Sequence, residues 1–305
     1  MREPEGIEMR KFLLGVAFLA ILAAACAPES SSTSIAADST PSADVCAVDN
    51  LNLLTDGTLT VGTGNPAYPP WWEGGTTDAN PDWKINDPYL GQGFEGATIY
   101  AVAEQMGFTK DQVTFVQVPF NKTYAPGPKD FDLVLEQISY SAKRAESVDF
   151  SDSYYDVNQA LVSVKGSPIE GATSFADLKD AKLGAALGTT SYDYIVNNIQ
   201  PNVDPNVYPD VNGAVQALKN GQIDGMVTDL PGAFYLTAVE VPNGVIVGQF
   251  PTVGEQEHFA MAFEKGNPLV PCVDQALAAL KTDGTMAQIQ QEWLSDKASA
   301  PVIQG

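Results

Sequence analysis

Short apolar or alternating runs recur along the chain at 59–63, 113–118, 131–139, 160–164, 183–187, 225–228, 244–247 and 258–263, the pattern of buried or half-buried strands. Between them lie segments with helical spacing: 94–106, entered through the glycine turn at 91–93, then 192–199, 211–219 and 230–239. Later, Val270, Val273, Ala276, Leu277 and Leu280 fall on one face, and Gly284 ends that helix. Ile289, Trp293 and Leu294 begin the face of a last helix. Strands alternating with helices predict an α/β protein with mainly parallel sheets. The Pro/Gly-rich stretches 76–90 and 121–129 read as loops, and no internal repeat is visible.

The first residues follow a different rule. Arg10 and Lys11 precede an apolar run at 12–25, shorter than the roughly 20 residues a membrane-spanning helix needs but matching an export signal. Glu3, Glu5 and Glu8 are foreign to the basic start of such a signal, so translation begins at Met1 or at Met9. The run Leu22-Ala23-Ala24-Ala25-Cys26 resembles a bacterial lipoprotein processing site, with the leucine one place further upstream than usual. Cleavage there would leave Cys26 as a lipidated first residue; a plain secretory signal with an incidental cysteine is the alternative. The Ser-, Thr-, Ala- and Pro-rich stretch to residue 43 then reads as a flexible tether. With Cys26 lipidated, Cys46 and Cys272 remain for one disulfide in an oxidising compartment, two buried thiols being the other reading.

The chain's 305 residues suit two domains. Asp and Glu outnumber Lys and Arg 38 to 16, a formal charge of −22. Such a surface repels phosphate backbones and anionic headgroups, which argues against a nucleic-acid partner. A single histidine, His258, leaves no material for a His-based metal site or a Ser-His-Asp triad. Gly91-Gln92-Gly93-Phe94-Glu95-Gly96 fits a dinucleotide fingerprint by letter, but the stretch before it is polar with two prolines, so the strand that fingerprint requires is missing.

Four pieces carry candidate chemistry. Once the signal is removed, Arg144 is the chain's one arginine, just past the apolar run 131–139. Its planar fork can hold a carboxylate through paired hydrogen bonds, or it is a surface residue of a charged turn beside Lys143 and Glu146. Gly184 to Ser191 leads a strand into a helix through Thr189 and Thr190, either an anion seat or ordinary capping. The run Gly221 to Asp229 ends a strand in a carboxylate able to hold an ammonium group. Tyr68-Pro69-Pro70-Trp71-Trp72 follows the strand at 59–63, as ligand-stacking aromatics or as core.

These pieces, in this order, resemble the extracellular amino-acid-binding proteins of ABC transporters, solute-binding proteins family 3. The resemblance runs from about Gly57 to Trp293 and includes Gly93-Phe94-Glu95, the stretch Arg144 to Tyr155, Ala176 to Lys179, Ala217 to Gly221, Lys265 to Pro268 and Lys281 to Gly284. It implies a two-lobed α/β fold of the periplasmic-binding-protein type II, with a hinge-closing cleft: lobe 1 from 44–157 plus 253–296, lobe 2 from 158–252, and a tail at 297–305. It also implies that Arg144 clamps a ligand α-carboxylate with Ser139, Thr189 and Thr190. Asp229 would take the α-ammonium, Tyr68 and Trp71 would pack on the side chain, and Asn65 and Glu136 would meet its far end. Gln137-Ile138-Ser139 stands where the family reads Gly-Met-Thr, so the Gln137 side chain is expected in the pocket, and the long loop 76–90 is expected over the cleft.

The resulting expectation is a monomeric lipoprotein, held to the outer face of the cytoplasmic membrane by lipid or free in the periplasm. It would bind a polar or cationic amino acid for a membrane permease, with no metal, cofactor or catalytic residue. A dehydratase-like enzyme on the same scaffold, or a ligand-sensing receptor without transport, are the alternatives.

Overall fold

The computed structural model describes residues 45–294 and 300–305. The export signal, the choice of start, Cys26 and the tether lie outside the described residues. The remainder is a two-lobed α/β fold built on two five-stranded sheets.

The first sheet runs in the order Val113–Gln117, Leu59–Thr63, Leu133–Val134, Ala262–Glu264, Val148–Phe150. Every residue of Leu59–Thr63 is buried, as suits a parallel strand covered on both faces. The second sheet runs Gly244–Gln249, Gln159–Val164, Gly225–Asp229, Leu183–Ala186, Asn206–Tyr208. A small antiparallel ladder, Tyr155–Asp156 against His258–Phe259, carries the two passages of the chain between the sheets.

The sheets are mixed, not mainly parallel as the alternation of elements predicts. Ala262–Glu264 lies antiparallel to both of its neighbours, and so does Gln159–Val164. These are the strands that begin just after the chain has crossed from the other lobe. No crossover helix sets their direction, and that is the device a parallel neighbour needs. The apolar run 131–139 is also a strand only at Leu133–Val134, because Gln137 adopts a left-handed φ of 46° and turns the chain away.

The first lobe packs Phe94, Ile99, Val102 and Ala103 of helix Phe94–Gln105 against helices Val270–Thr282 and Thr285–Leu294, with Trp71, Trp72 and Phe259 in the same core. Cys46 and Cys272 are joined within this lobe, their Cα atoms 5.4 Å apart across a sequence separation of 226. The second lobe holds two smaller cores, one on each side of its sheet. Residues 300–305, read from the sequence only as a tail, lie along that sheet's edge. The Ile303 N–H donates to Gln249 O, Gln249 N–H donates to Pro301 O, and the Ile303 side chain is buried. Gly248 permits this approach, since a Cβ there would meet Pro301 O at 2.6 Å.

The loop 76–90 does not cover the cleft. Trp83 is buried, and Asn86 Nδ2 donates to Ala67 O and Trp72 O, so the loop is pinned back onto the segment after the first strand. Within 121–129, expected as loop throughout, residues of Phe120–Thr123 make one short helical turn.

Candidate functional site

Strand ends from both sheets open into one cleft of about 780 Å³, the position where open α/β sheets present ligand sites. From the first lobe it is lined by Asn65, Tyr68, Trp71, Glu136, Gln137, Ser139 and Arg144, and from the second by Thr189, Thr190 and Asp229. All ten sequence-derived candidates therefore line one cavity. Their side chains are engaged very differently.

Arg144 sits on the short helix Ala142–Ala145, capped by Ser141. Its guanidinium is buried over the rings of Tyr124, at 4.5 Å, and Phe120, at 5.5 Å. Nη1 donates to Ser139 O at 2.6 Å and Nη2 donates across the cleft to Gly188 O at 2.8 Å. Burial lowers its pKa, opposed by Tyr124, Asp193 and Glu257. It is not the exposed residue of a charged turn.

Asp229 closes strand Gly225–Asp229 and caps the helix Leu230–Tyr235, accepting from the Gly232 N–H at 2.7 Å. Desolvation pushes its carboxyl up to about 6, with Glu257 adding to the rise. One oxygen caps the helix while the residue still faces the cleft, the disposition of an acceptor for an ammonium group. The Thr189 hydroxyl caps its own helix, accepting from Tyr192 N–H, and donates to Ala186 O. Thr190 Oγ1 lies 3.3 Å from Ser139 Oγ across the cleft.

Two residues missed in the sequence complete that corner. Ser139 Oγ donates to Glu257 at 2.7 Å, and Gln159 Nε2 donates to both Glu257 oxygens at 3.1 and 3.0 Å. Gln159 Oε1 in turn accepts from Ser191 Oγ. Gln159 had no role assigned from the sequence, where it opens the apolar run Gln159-Ala160-Leu161-Val162, and Glu257 was one acid among many.

Glu136 stands apart. Its Oε2 is buried with no hydrogen-bond partner, and desolvation with the nearby Glu95 pushes its pKa well above the carboxylate range. Its other oxygen lies so close to Gly64 that any Cβ there would collide with it, so Gly64 makes the room. Glu95, fully buried, accepts from Gln137 N–H at 2.8 Å, from Gln137 Nε2 and from the Tyr154 hydroxyl. Desolvation holds its pKa at about 7. The Gln137 amide thus turns to Glu95 instead of offering itself to a ligand as expected, because Glu95 takes both its backbone and side-chain N–H groups and stabilises the left-handed backbone.

Asn65 is likewise occupied: Nδ2 donates to Asp82 O and Oδ1 accepts from Lys84 N–H, fixing the long loop. Trp71 is buried edge-on against Phe94, Tyr155 and Phe259, so most of its ring is core. Tyr68 is half-buried, with its hydroxyl hydrogen-bonded to Asn212 of the second lobe and its ring 6.3 Å from Tyr235. Among the described residues no three His, Cys, Asp or Glu side chains group to hold a metal ion. No described helix is long and apolar enough to cross a membrane.

The family model for bacterial extracellular solute-binding proteins, family 3, matches residues 74–296. The L-cystine-binding protein TcyA of Bacillus subtilis (strain 168) is 28% identical over 297 residues, 95% of this chain and all of that protein. The arginine-binding extracellular protein ArtP of the same organism is 25% identical over 227 residues, 73% of this chain and 85% of that one. Among solved structures, an ancestral arginine-binding protein bound to arginine superposes with a TM-score of 0.61 at 30% identity, covering 78% of this chain and 98% of that chain.

Proposed function

The chain belongs to the bacterial extracellular solute-binding proteins, family 3, and from that premise we propose that it binds an amino acid between its lobes and passes it to the permease of an ABC transporter. The observation that carries this reading is the placing of Arg144 and Asp229 on facing lobes of one cleft. A zwitterion needs one positive and one negative anchor, and removal from water strengthens both.

In this reading Arg144 receives the α-carboxylate, with the hydroxyls of Ser139 and Thr190 beside it, and Asp229 receives the α-ammonium. Tyr68 packs on the ligand side chain, and the lone Glu136 oxygen supports a polar or cationic side chain, since a donor arriving there removes the cost of an unpartnered buried carboxyl. The lobes hinge at the ladder of Tyr155–Asp156 and His258–Phe259. Cys26 carries the lipid that holds the protein at the outer face of the membrane. The family is extracellular and its curated relatives are named as binding proteins, which supports a carrier over an enzyme.

Thermal unfolding against a panel of L-amino acids tests the reading. A ligand at 100 times its dissociation constant stabilises by about 2.7 kcal/mol. The expected result is an upward shift with basic or polar amino acids that is lost in Arg144→Ala and Asp229→Ala. No shift with any zwitterion overturns it.

A further inference from the structure

The cleft is larger than one amino acid requires. Its volume of about 780 Å³ lies in the upper part of the roughly 300–1,000 Å³ range of ligand pockets, whereas arginine or lysine has only about a dozen non-hydrogen atoms. The volume is not that of lobes held apart. They already touch where Arg144 Nη2 meets Gly188 O at 2.8 Å and where Asn212 Nδ2 meets the Tyr68 hydroxyl at 2.7 Å.

Charge says what the extra room suits. Among the described residues lining the cleft, Arg144 is the one cation, facing the carboxyl groups of Glu136, Asp210, Asp229 and Glu240. A zwitterionic head matches Arg144 and Asp229 and leaves three carboxyl groups over. Two of these, Asp210 and Glu240, are on the second lobe near Tyr68. The Tyr235 hydroxyl donates to Glu240 at 2.9 Å, and the two phenol rings lie 6.3 Å apart at 52°. Aromatic faces beside a carboxylate attract a cation by the ring quadrupole as well as by charge. A second carboxylate on the ligand would find no cation in this part of the cleft.

Resting on the amino-acid reading above, we infer that the cleft is built for an elongated basic ligand. It would be an α-amino acid extended through its side-chain nitrogen, whose second cationic end seats at the rim among Tyr68, Tyr235, Glu240 and Asp210. Glu136 meets the donor groups along the middle of the same ligand.

Calorimetric titration of the full chain with L-lysine, Nε-acetyl-L-lysine and Nε-(L-lysyl)-L-lysine tests this. The two extended probes share the amide, and the lysyl probe adds a longer chain with two ammonium groups, so the Glu240→Gln and salt readouts separate charge from size. The expected result is that Nε-(L-lysyl)-L-lysine binds about tenfold or more tightly than Nε-acetyl-L-lysine. That ratio should fall about threefold or more in Glu240→Gln. It should also narrow as salt rises, a readout on the unaltered chain that needs no substitution. Equal affinity of the two extended probes, or a ratio indifferent to both Glu240→Gln and salt, overturns the proposal while leaving amino-acid binding standing. Failure of all three compounds to bind overturns this proposal, while the amino-acid reading falls only if the whole panel of L-amino acids also gives no shift.

Discussion

The two lobes meet the ligand cleft with different means. The first has one large core, a smaller cluster around Phe131, Ile138 and Val148 on the other face of its sheet, a disulfide across the large core, and the long side chains: Arg144, Glu136 and Tyr68. Several of its polar groups are already held, Arg144 by Ser139 O and Gln137 by Glu95. The second lobe has two smaller cores, and its helices Thr190–Tyr194 and Leu230–Tyr235 each run on into a π-helical turn, Ile195–Ile199 and Leu236–Glu240. It offers mostly short groups: the Gly188 carbonyl, the Thr190 hydroxyl and Asp229. The first lobe thus brings long side chains held largely by its own groups, and the second brings a backbone carbonyl, a hydroxyl and a short carboxylate to meet them. A long charged side chain needs packing and hydrogen bonds to hold it, as Arg144 has in Phe120, Tyr124 and Ser139 O, whereas a backbone carbonyl is placed by the path of the chain.

The largest way to break that asymmetry is to remove the bridge. Replacing Cys272 with Ser should destabilise by about 4 kcal/mol, given the length of the closed loop, and lower the melting temperature by about 10 °C. The drop should concentrate in the first lobe, read by hydrogen exchange across Phe94–Gln105. Equal loss in both lobes breaks the comparison.

Next comes Arg144→Ala, which removes a cation hydrogen-bonded to both lobes and should weaken amino-acid affinity by about 3 kcal/mol, some hundredfold, in a titration. Ile303→Ala acts on the other side. Truncating this buried residue should cost about 2 kcal/mol and raise exchange in Gly244–Gln249 while sparing the first lobe.

A pH series sharpens the picture further. The folded-state pKa of Glu95, about 7, and of Asp229, about 6, both lie above the ordinary carboxylate value. Between roughly pH 4.5 and 7 the native state therefore binds more protons than the unfolded one, and stability falls as pH rises through that window. The unliganded protein should melt several degrees higher at pH 5 than at pH 7.5, and Glu95→Gln should remove part of that slope, the rest coming from Asp229 and Glu136. Smallest is Tyr68→Phe, which loses one half-exposed hydrogen bond to Asn212. It should cost about 1 kcal/mol or less, visible as a modest rise in the ligand off-rate by stopped flow.

Much of the site was legible because its members are chemically conspicuous. Arg144 has no competing arginine in the folded part, and Asp229 ends an apolar run, where a carboxylate stands out. What stayed hidden were roles set by partners far along the chain. Glu257 is 118 residues from Ser139 and 98 from Gln159, its two hydrogen-bond donors. Tyr68 and Asn212 are separated by 144. Asn65 and Gln137 were conspicuous as polar residues on the cleft wall, yet their amides hold the loop and Glu95. A sequence names the groups that can make hydrogen bonds but not which of several distant partners wins.

By itself, then, the sequence determined the alternation of strands and helices, a lone arginine in the folded part and a carboxylate at the end of a strand, and the family. Each of these is written in neighbouring residues, through period, turn chemistry and local charge. The tertiary structure alone decided which strands run antiparallel, that residues 300–305 line the second sheet, that the long loop leaves the cleft open, and that Glu136 is left without a partner. Those outcomes depend on which surfaces exclude water together once the chain has crossed between lobes, and burial of that kind has no local signature.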